Sequence, residues 1–298
     1  MRTTNRLSQY AFFTLALAGS AQAVQFAQID NFASTDPMGW MKGFNSTMPP
    51  SVISDGGPAG VGDGYLQNIS TGIGTADSKQ VFFNQAQWTG DYVTNHVTRL
   101  QVDMANFSSA TLYMRVAMES GSGSYISANP FVLGPNSDWQ TVTFDFTAGS
   151  MTDLFGGFSS PLADVLSTIF EVRILSEQPP PDGQSLTRNG DTVASTLGMD
   201  NLRALTLPGD ANMDNTVNTA DFTALAAQFN QNSTAWGDGD FNFDGKVNAL
   251  DFNMLAANFG QSVSFGAPAL GSVVPEPTAI SLVAFLSACS FARRRTLS

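Results

Sequence analysis

A chain of 298 residues has room for one large or two ordinary domains, with ample material for a core. Its formal charge is −12, from 21 Asp and 4 Glu against 13 Lys plus Arg. Scattered basic residues in an acidic chain argue against nucleic acid, which wants a basic stripe. The only cysteine, Cys289, lies in the extreme C-terminal segment, so no disulfide staples the body of the protein.

The N-terminus reads as a secretory signal over residues 1–23. Arg2 and Arg6 give the charged region, Ala11 to Ala18 the apolar run, and Ala21-Gln22-Ala23 the cleavage pattern. The mature chain is expected to begin near Val24, outside the cytoplasm.

Residues 24–207 read as all-β. Leu100, Val102 and Met104 alternate, as do Leu112, Met114, Val116 and Met118, with Tyr113 and Arg115 on the opposite face. Val142, Phe144 and Phe146 repeat the pattern, and so do Phe170, Val172 and Ile174 against Glu171 and Arg173. Gly, Ser, Asn and Pro clusters separate these runs, which predicts a β-sandwich. The opening strand is read over Phe26 to Phe32, running on toward Trp40, and the closing strand over Thr196 to Thr206. Pro161 to Thr168 predicts one short helix. Asp200-Asn201-Leu202 on the last strand, Asp30-Asn31-Phe32 near the first, and Trp139-Gln140-Thr141-Val142 before Phe144-Asp145-Phe146 together resemble the jelly-roll sandwiches of carbohydrate-binding modules. The resemblance implies contact with extracellular polysaccharide. It also implies a structural calcium shared by the terminal strands, with Asp200 as the ligand. Sugar sites stack exposed aromatic faces on rings. Tyr113, opposite its strand's apolar face, is the best exposed candidate; Trp40 and Trp88 stand beside it, although sandwiches bury Trp routinely.

Residues 208–262 hold a tandem repeat offset by 30 residues (240 − 210). Each unit reads D-x-N-x-D-(N/G)-x-V-N-x-x-D, a calcium-loop pattern with Asp at the last position in place of Glu. In the first unit the expected ligands are Asp210, Asn212, Asp214, the carbonyl of Thr216, Asn218 and Asp221. In the second they are Asp240, Asn242, Asp244, the carbonyl of Lys246, Asn248 and Asp251. Gly245 suits the tight left-handed turn at position 6, and Asn215 is the best non-glycine substitute. Phe222, Leu225, Ala226 and Phe229 then fall at helical spacing, as do Phe252, Leu255, Ala256 and Phe259, so two helices are expected to pack these stripes together. Pro208-Gly209 leaves no room for an entering helix. Loop, helix, linker, loop, helix resembles the type I dockerin module. That resemblance implies two calcium ions, calcium-dependent folding, and docking onto a cohesin-like protein. The partner-reading pair at loop positions 10 and 11 departs from the family's usual Ser-Thr, being Thr219-Ala220 and Ala249-Leu250.

Residues 263–274 read as a linker. Pro275-Glu276-Pro277, an apolar run of 15 residues from Thr278 to Ala292, and Arg293-Arg294-Arg295 follow. That order resembles the PEP-CTERM sorting signal over 275–298. It implies recognition by an exosortase, transient anchoring in the inner membrane with the arginines inside, and delivery to the cell surface or matrix.

Signs of catalysis are few. His96 is the lone histidine, no G-x-S-x-G motif occurs, and Glu119, Glu171 and Glu177 lie in no recognisable catalytic motif. The fold expected is mainly β, a jelly-roll-like sandwich with a small α-helical calcium module. The function expected is non-catalytic binding of polysaccharide or matrix with protein–protein docking. A dockerin-assembled, polysaccharide-degrading enzyme is the alternative.

Overall fold

The computed structural model describes residues 23–263, apart from 44, 75–76 and 182–183. The expected signal peptide, linker, Pro-Glu-Pro motif, apolar run and triple arginine lie outside the described residues, apart from Ala23 and Val263. Among the described residues no helix is long and apolar enough to cross a membrane.

The strands, in chain order, are β1 (Ile29–Asp30), β2 (Trp40–Met41), β3 (Ser51–Ile53), β4 (Tyr65–Thr71), β5 (Val81–Asn84), β6 (Arg99–Asn106) and β7 (Leu112–Ser120). They continue as β8 (Gly123–Ser127), β9 (Phe131–Leu133), β10 (Ser137–Asp145), β11 (Met151–Asp153), β12 (Ile169–Ser176) and β13 (Ala194–Leu205). Helix α1 (Leu162–Leu166) lies between β11 and β12. Every pairing is antiparallel. One sheet runs β10-β6-β13-β4-β3 with β1 on β13; the other runs β11-β8-β7-β12-β5-β2 with β9 on β7. Strand alternation dictates which face is buried. Leu100, Val102 and Met104 from the first sheet meet Leu112, Met114, Val116 and Met118 from the second in one core.

Three expectations change. The opening segment does not form one strand from Phe26 to Phe32; only Ile29–Asp30 pairs, because Ala27 and Phe32 have left-handed backbones (φ 61° and 45°) that break the ladder on both sides. On β12 the register shifts between Ile169 and Glu171, so Ile169 faces the core in place of Phe170, which is half exposed. Trp40 and Trp88 are core residues and offer no face to a ligand. Both indole N–H groups donate to one oxygen of the buried Asp30, at 2.8 and 2.7 Å, and Gln87 Nε2 donates to it at 3.1 Å. Burial pushes the Asp30 carboxyl up, and those three donors pull it back. Asp30 sits on β1 opposite Leu202 of β13, so the clamp ties the first strand, the last strand and the β2 and β5 ends together.

Asp30→Ala would orphan two buried indole N–H groups. It is expected to lower stability by about 2–5 kcal/mol in chemical denaturation, whereas Gln87→Ala loses far less.

Candidate metal centre

The last part of the described chain builds two turns by one recipe. Leu207 to Asp210 forms a turn, and the acidic loop that follows ends in α2 (Thr219–Gln228). A 3-10 turn at Trp236–Asp238 leads into the second loop and α3 (Ala249–Asn258). Asn218 and Asn248 cap the helices. Each side-chain oxygen accepts an early helical N–H (Ala220 or Leu250, both 2.8 Å), while Asp221 or Asp251 accepts the N–H of its capping Asn.

The main-chain N–H groups that donate to the loop aspartates repeat partner for partner. Asp210 accepts the N–H groups of Asp214 and Asn215 (3.0 and 2.8 Å), as Asp240 accepts those of Asp244 and Gly245 (3.2 and 3.1 Å). Asp221 accepts from Ala211 and Asn212, as Asp251 does from Phe241 and Asn242. Asp214 and Asp244 accept from Thr216 and Lys246, both at 2.9 Å. Asn215 and Gly245 at position 6 take the left-handed backbone (φ 67° and 84°).

Asp210, Asp221, Asp240 and Asp251 are wholly buried. Among the described residues no lysine or arginine comes within ion-pair distance of any of them. Burial, with Asp221 and Asp214 nearby, pushes the Asp210 carboxyl up to about 6. Burial raises Asp240 too, and Asp251 and Asp244 add to it. Among the described residues no three acidic, histidine or cysteine side chains converge into a metal cage of their own. The donor set of each loop is mixed: three carboxylates, two Asn amides and one main-chain carbonyl. Hard oxygens of that number on a flexible turn fit an ion of calcium's size, and the uncompensated buried charge fits a divalent cation.

The two units pack on each other crosswise. Gly209 has φ 98°, and a Cβ there would lie 2.7 Å from Leu255 Cα; at Gly239, φ 102°, it would lie 3.0 Å from Leu225 Cα. Each unit's entry turn therefore needs glycine so that the other unit's helix can approach. Leu225 and Leu255 fill the small core with Val217, Val247, Phe241 and Trp236. Here the stripe expectation is corrected. Phe222, Phe229, Phe252 and Phe259 do not pack inward. Phe222 and Phe252 meet edge to face across the helices, ring centroids 6.3 Å apart, yet all four stand 40–51 % exposed while Leu225 and Leu255 fill the core between the units. Phe222, Leu225, Ala226, Phe229 and Phe252 line an apolar groove of about 450 Å³.

Residues 208–260 match the family described as Dockerin type I domain. The chain carries a dockerin-type domain. A type II cohesin-dockerin domain structure from Bacteroides cellolosolvens is 36 % identical over 20 % of this chain and 92 % of its own, with a TM-score of 0.18. Over the sandwich, a family 11 carbohydrate-binding module from Clostridium thermocellum is 12 % identical, covering 62 % of this chain and 98 % of its own (TM-score 0.38). An exo-beta-agarase is 12 % identical over 60 % of this chain and 24 % of its own (TM-score 0.41). No curated protein matches the chain.

The dockerin-type domain is joined to the sandwich without slack. Trp236 donates its indole N–H to the carbonyl of Asp210 at 2.6 Å, and its ring meets Phe241, Phe243 and Phe26, the last at 5.3 Å. Arg203, on β13, lies over the Phe243 ring at 5.3 Å. Neither Trp236 nor Phe26 stands out in the sequence as a contact between modules; the Trp between the repeats was the available sign.

The other expected site residues disperse. Asp200 lies on the outer face of β13, buried, in register with Asp103 of β6. Neither of its oxygens accepts a full hydrogen bond. Burial, with Asp63 and Asp103 nearby, pushes it up to about 7 against weak help from the Asn201 N–H. It does not share a site with Asp30, whose carboxylate points into the core. Tyr113 is half buried near the start of β7, an inner strand of the second sheet, opposite Val132 of β9. Glu119 and Glu171 face each other across β7 and β12, both buried, with Arg173 on the pair, Arg188 on Glu119 and Gln85 Nε2 donating to Glu171 at 2.6 Å.

Because Asp210 holds protons more tightly folded than unfolded, the metal-free domain is expected to lose stability as pH rises from about 4 to about 6. Calcium needs the ionised carboxylate, so its affinity is expected to rise through the same window. Thermal melts at pH 5 and 7, with chelator and with calcium, should show opposite trends.

Proposed function

We propose that this chain is an exported, surface-associated docking protein. Its dockerin-type domain binds two calcium ions and presents the phenylalanine face to a cohesin-like partner, while the sandwich contacts extracellular polysaccharide. The observation that carries this reading is the duplicated set of four buried aspartates with no lysine or arginine at ion-pair distance among the described residues. Bound calcium would supply the positive charge that lets those carboxylates remain ionised out of water. The chain's own residues do the rest. Asp210, Asn212, Asp214, the Thr216 carbonyl, Asn218 and Asp221 hold one loop, and Asp240, Asn242, Asp244, the Lys246 carbonyl, Asn248 and Asp251 hold the other. The last aspartate of each set also caps a helix, so fixing the loop fixes the helix that carries Phe222 or Phe252.

The exposed face between the helices suits protein contact. It is apolar, contiguous across both helices, and free of lysine and arginine. Export is supported by the N-terminal signal pattern, and surface retention by the Pro-Glu-Pro tail with its apolar run and triple arginine, processed by an exosortase at the inner membrane. Polysaccharide contact is supported by the strand-end motifs of the sandwich. The binding reading is preferred over hydrolysis because Glu119 and Glu171 are buried and engaged by arginines, which leaves no free acid–base pair between them.

Calorimetric titration of the exported chain is expected to show two calcium ions. Asp221→Ala and Asp251→Ala should each lose one, and no heat at all from the unmodified chain would end the reading. Phe222→Ser with Phe252→Ser is expected to weaken calcium-dependent capture on an immobilised cohesin about tenfold or more, with the calcium count still two.

A further inference from the structure

The outer face of the second sheet carries a roofed groove. The stretches 177–181 and 184–191 strap across it: Arg188 pairs with Glu119, Arg173 Nη1 donates to the Arg188 carbonyl at 3.1 Å, and Leu186 packs on Ala117, Ile126 and Leu175. Between this strap, the turn at 128–130 and the segment 152–156 lies a space of about 380 Å³, at the small end for ligand sites.

Arg115 lines that space from β7 and is 1 % exposed. Its Nε donates to the Glu177 carbonyl at 2.8 Å, and Nη1 donates to the carbonyls of Ser127 and Ala128. Those acceptors fix the guanidinium without cancelling its charge. Among the described residues it forms no ion pair, and Nη2 makes no hydrogen bond. The two nearby acids are engaged elsewhere. Glu177 accepts from Thr187, and Asp191 from Ser176 and Gln178. Asp153, which also lines the space, turns its oxygens to the N–H groups of Phe155, Gly157 and Ser159 and to the Ser159 hydroxyl. A buried guanidinium with Nη2 free and no ion-paired carboxylate among the described residues is half of a charge-assisted pair.

The walls narrow the other half. Pro130, Pro179, Pro180 and Leu154 give apolar surface, and the side chains of Asn129, Gln184 and Ser185 have no hydrogen bond to any described residue. Apolar ring faces beside unspent amide and hydroxyl groups suit a polyhydroxylated ring. The chain's charge of −12 disfavours a densely ionised polymer and favours an isolated acidic group among neutral sugars.

We propose that this groove binds an acidic sugar residue of a polysaccharide, its carboxylate or sulfate ester seated on Arg115 Nη2 and its hydroxyls on Asn129, Gln184 and Ser185. This rests on the polysaccharide-binding reading and names its site and ligand class. The test is calorimetry on the full exported chain with calcium and two matched probe pairs. One pair is a xylo-oligosaccharide with and without a single glucuronic acid branch; the other is a galacto-oligosaccharide with and without a single sulfate ester. The acidic member of at least one pair is expected to bind about tenfold tighter, and which pair responds separates carboxylate from sulfate. That preference should vanish in Asn129→Ala/Gln184→Ala and in Ser185→Trp, which fills the groove and leaves Arg115 in place. Arg115→Lys should weaken it, with a melting temperature recorded alongside to show that the variant folds. Equal binding of acidic and neutral members, or a preference that survives both groove variants, overturns the proposal while polysaccharide binding stands. Failure to bind any of the four sugars removes both. Tighter binding of a short acidic peptide of equal charge overturns the assignment to sugar.

Discussion

Four buried carboxylates with no lysine or arginine paired to them among the described residues govern the stretch 208–262. Ionised, each such group would forfeit several kcal/mol of hydration in a low-dielectric surrounding. Main-chain N–H groups recover part of that, and the same N–H groups define the loops. The loop conformation and the capacity for a divalent ion are thus one arrangement seen from two sides. The capping role of Asp221 and Asp251 carries the constraint into α2 and α3, and the crosswise Gly209–Leu255 and Gly239–Leu225 contacts carry it from one unit to the other.

The sandwich solves its own buried-charge problem by a different route. Asp30 is held by two indoles and an amide rather than by a cation, and the Glu119–Glu171 pair by two arginines. Arg115 is held differently, by carbonyls on Nε and Nη1, with Nη2 left over and no ion pair among the described residues. The contrast between these three solutions is what sets Arg115 apart from ordinary internal electrostatics.

Much of this was legible in the sequence because it rests on local spacing. The two acidic loops, the helices that follow them and the alternating strands follow from periods of 2, 3.6 and 30, and the loops and helices appear where those periods put them. What could not be read depends on what faces what. Trp40 and Trp88 resemble binding-face aromatics until Asp30 is found between them. Phe170 was assigned inward because a one-residue bulge leaves no mark in the alternation of Phe170, Val172 and Ile174. The phenylalanines of α2 and α3 obey helical periodicity, yet periodicity shows only that a stripe exists, and the stripe here is wider than the core it serves. Arg115 looked like an outward arginine; its burial comes from a strap more than sixty residues later in the chain.

Trp236 joins three things: the first acidic loop through its indole N–H, the second through Phe241 and Phe243, and the sandwich through Phe26. The chain passes from β13 to the first loop ligand in only a few residues, with no Gly/Ser-rich spacer to let the halves swing. A partner gripping the phenylalanine face and a glycan lying on the sandwich would therefore be held at one fixed separation and angle. Geometry of that kind raises avidity only for targets whose own spacing matches, so the join itself acts as a ruler.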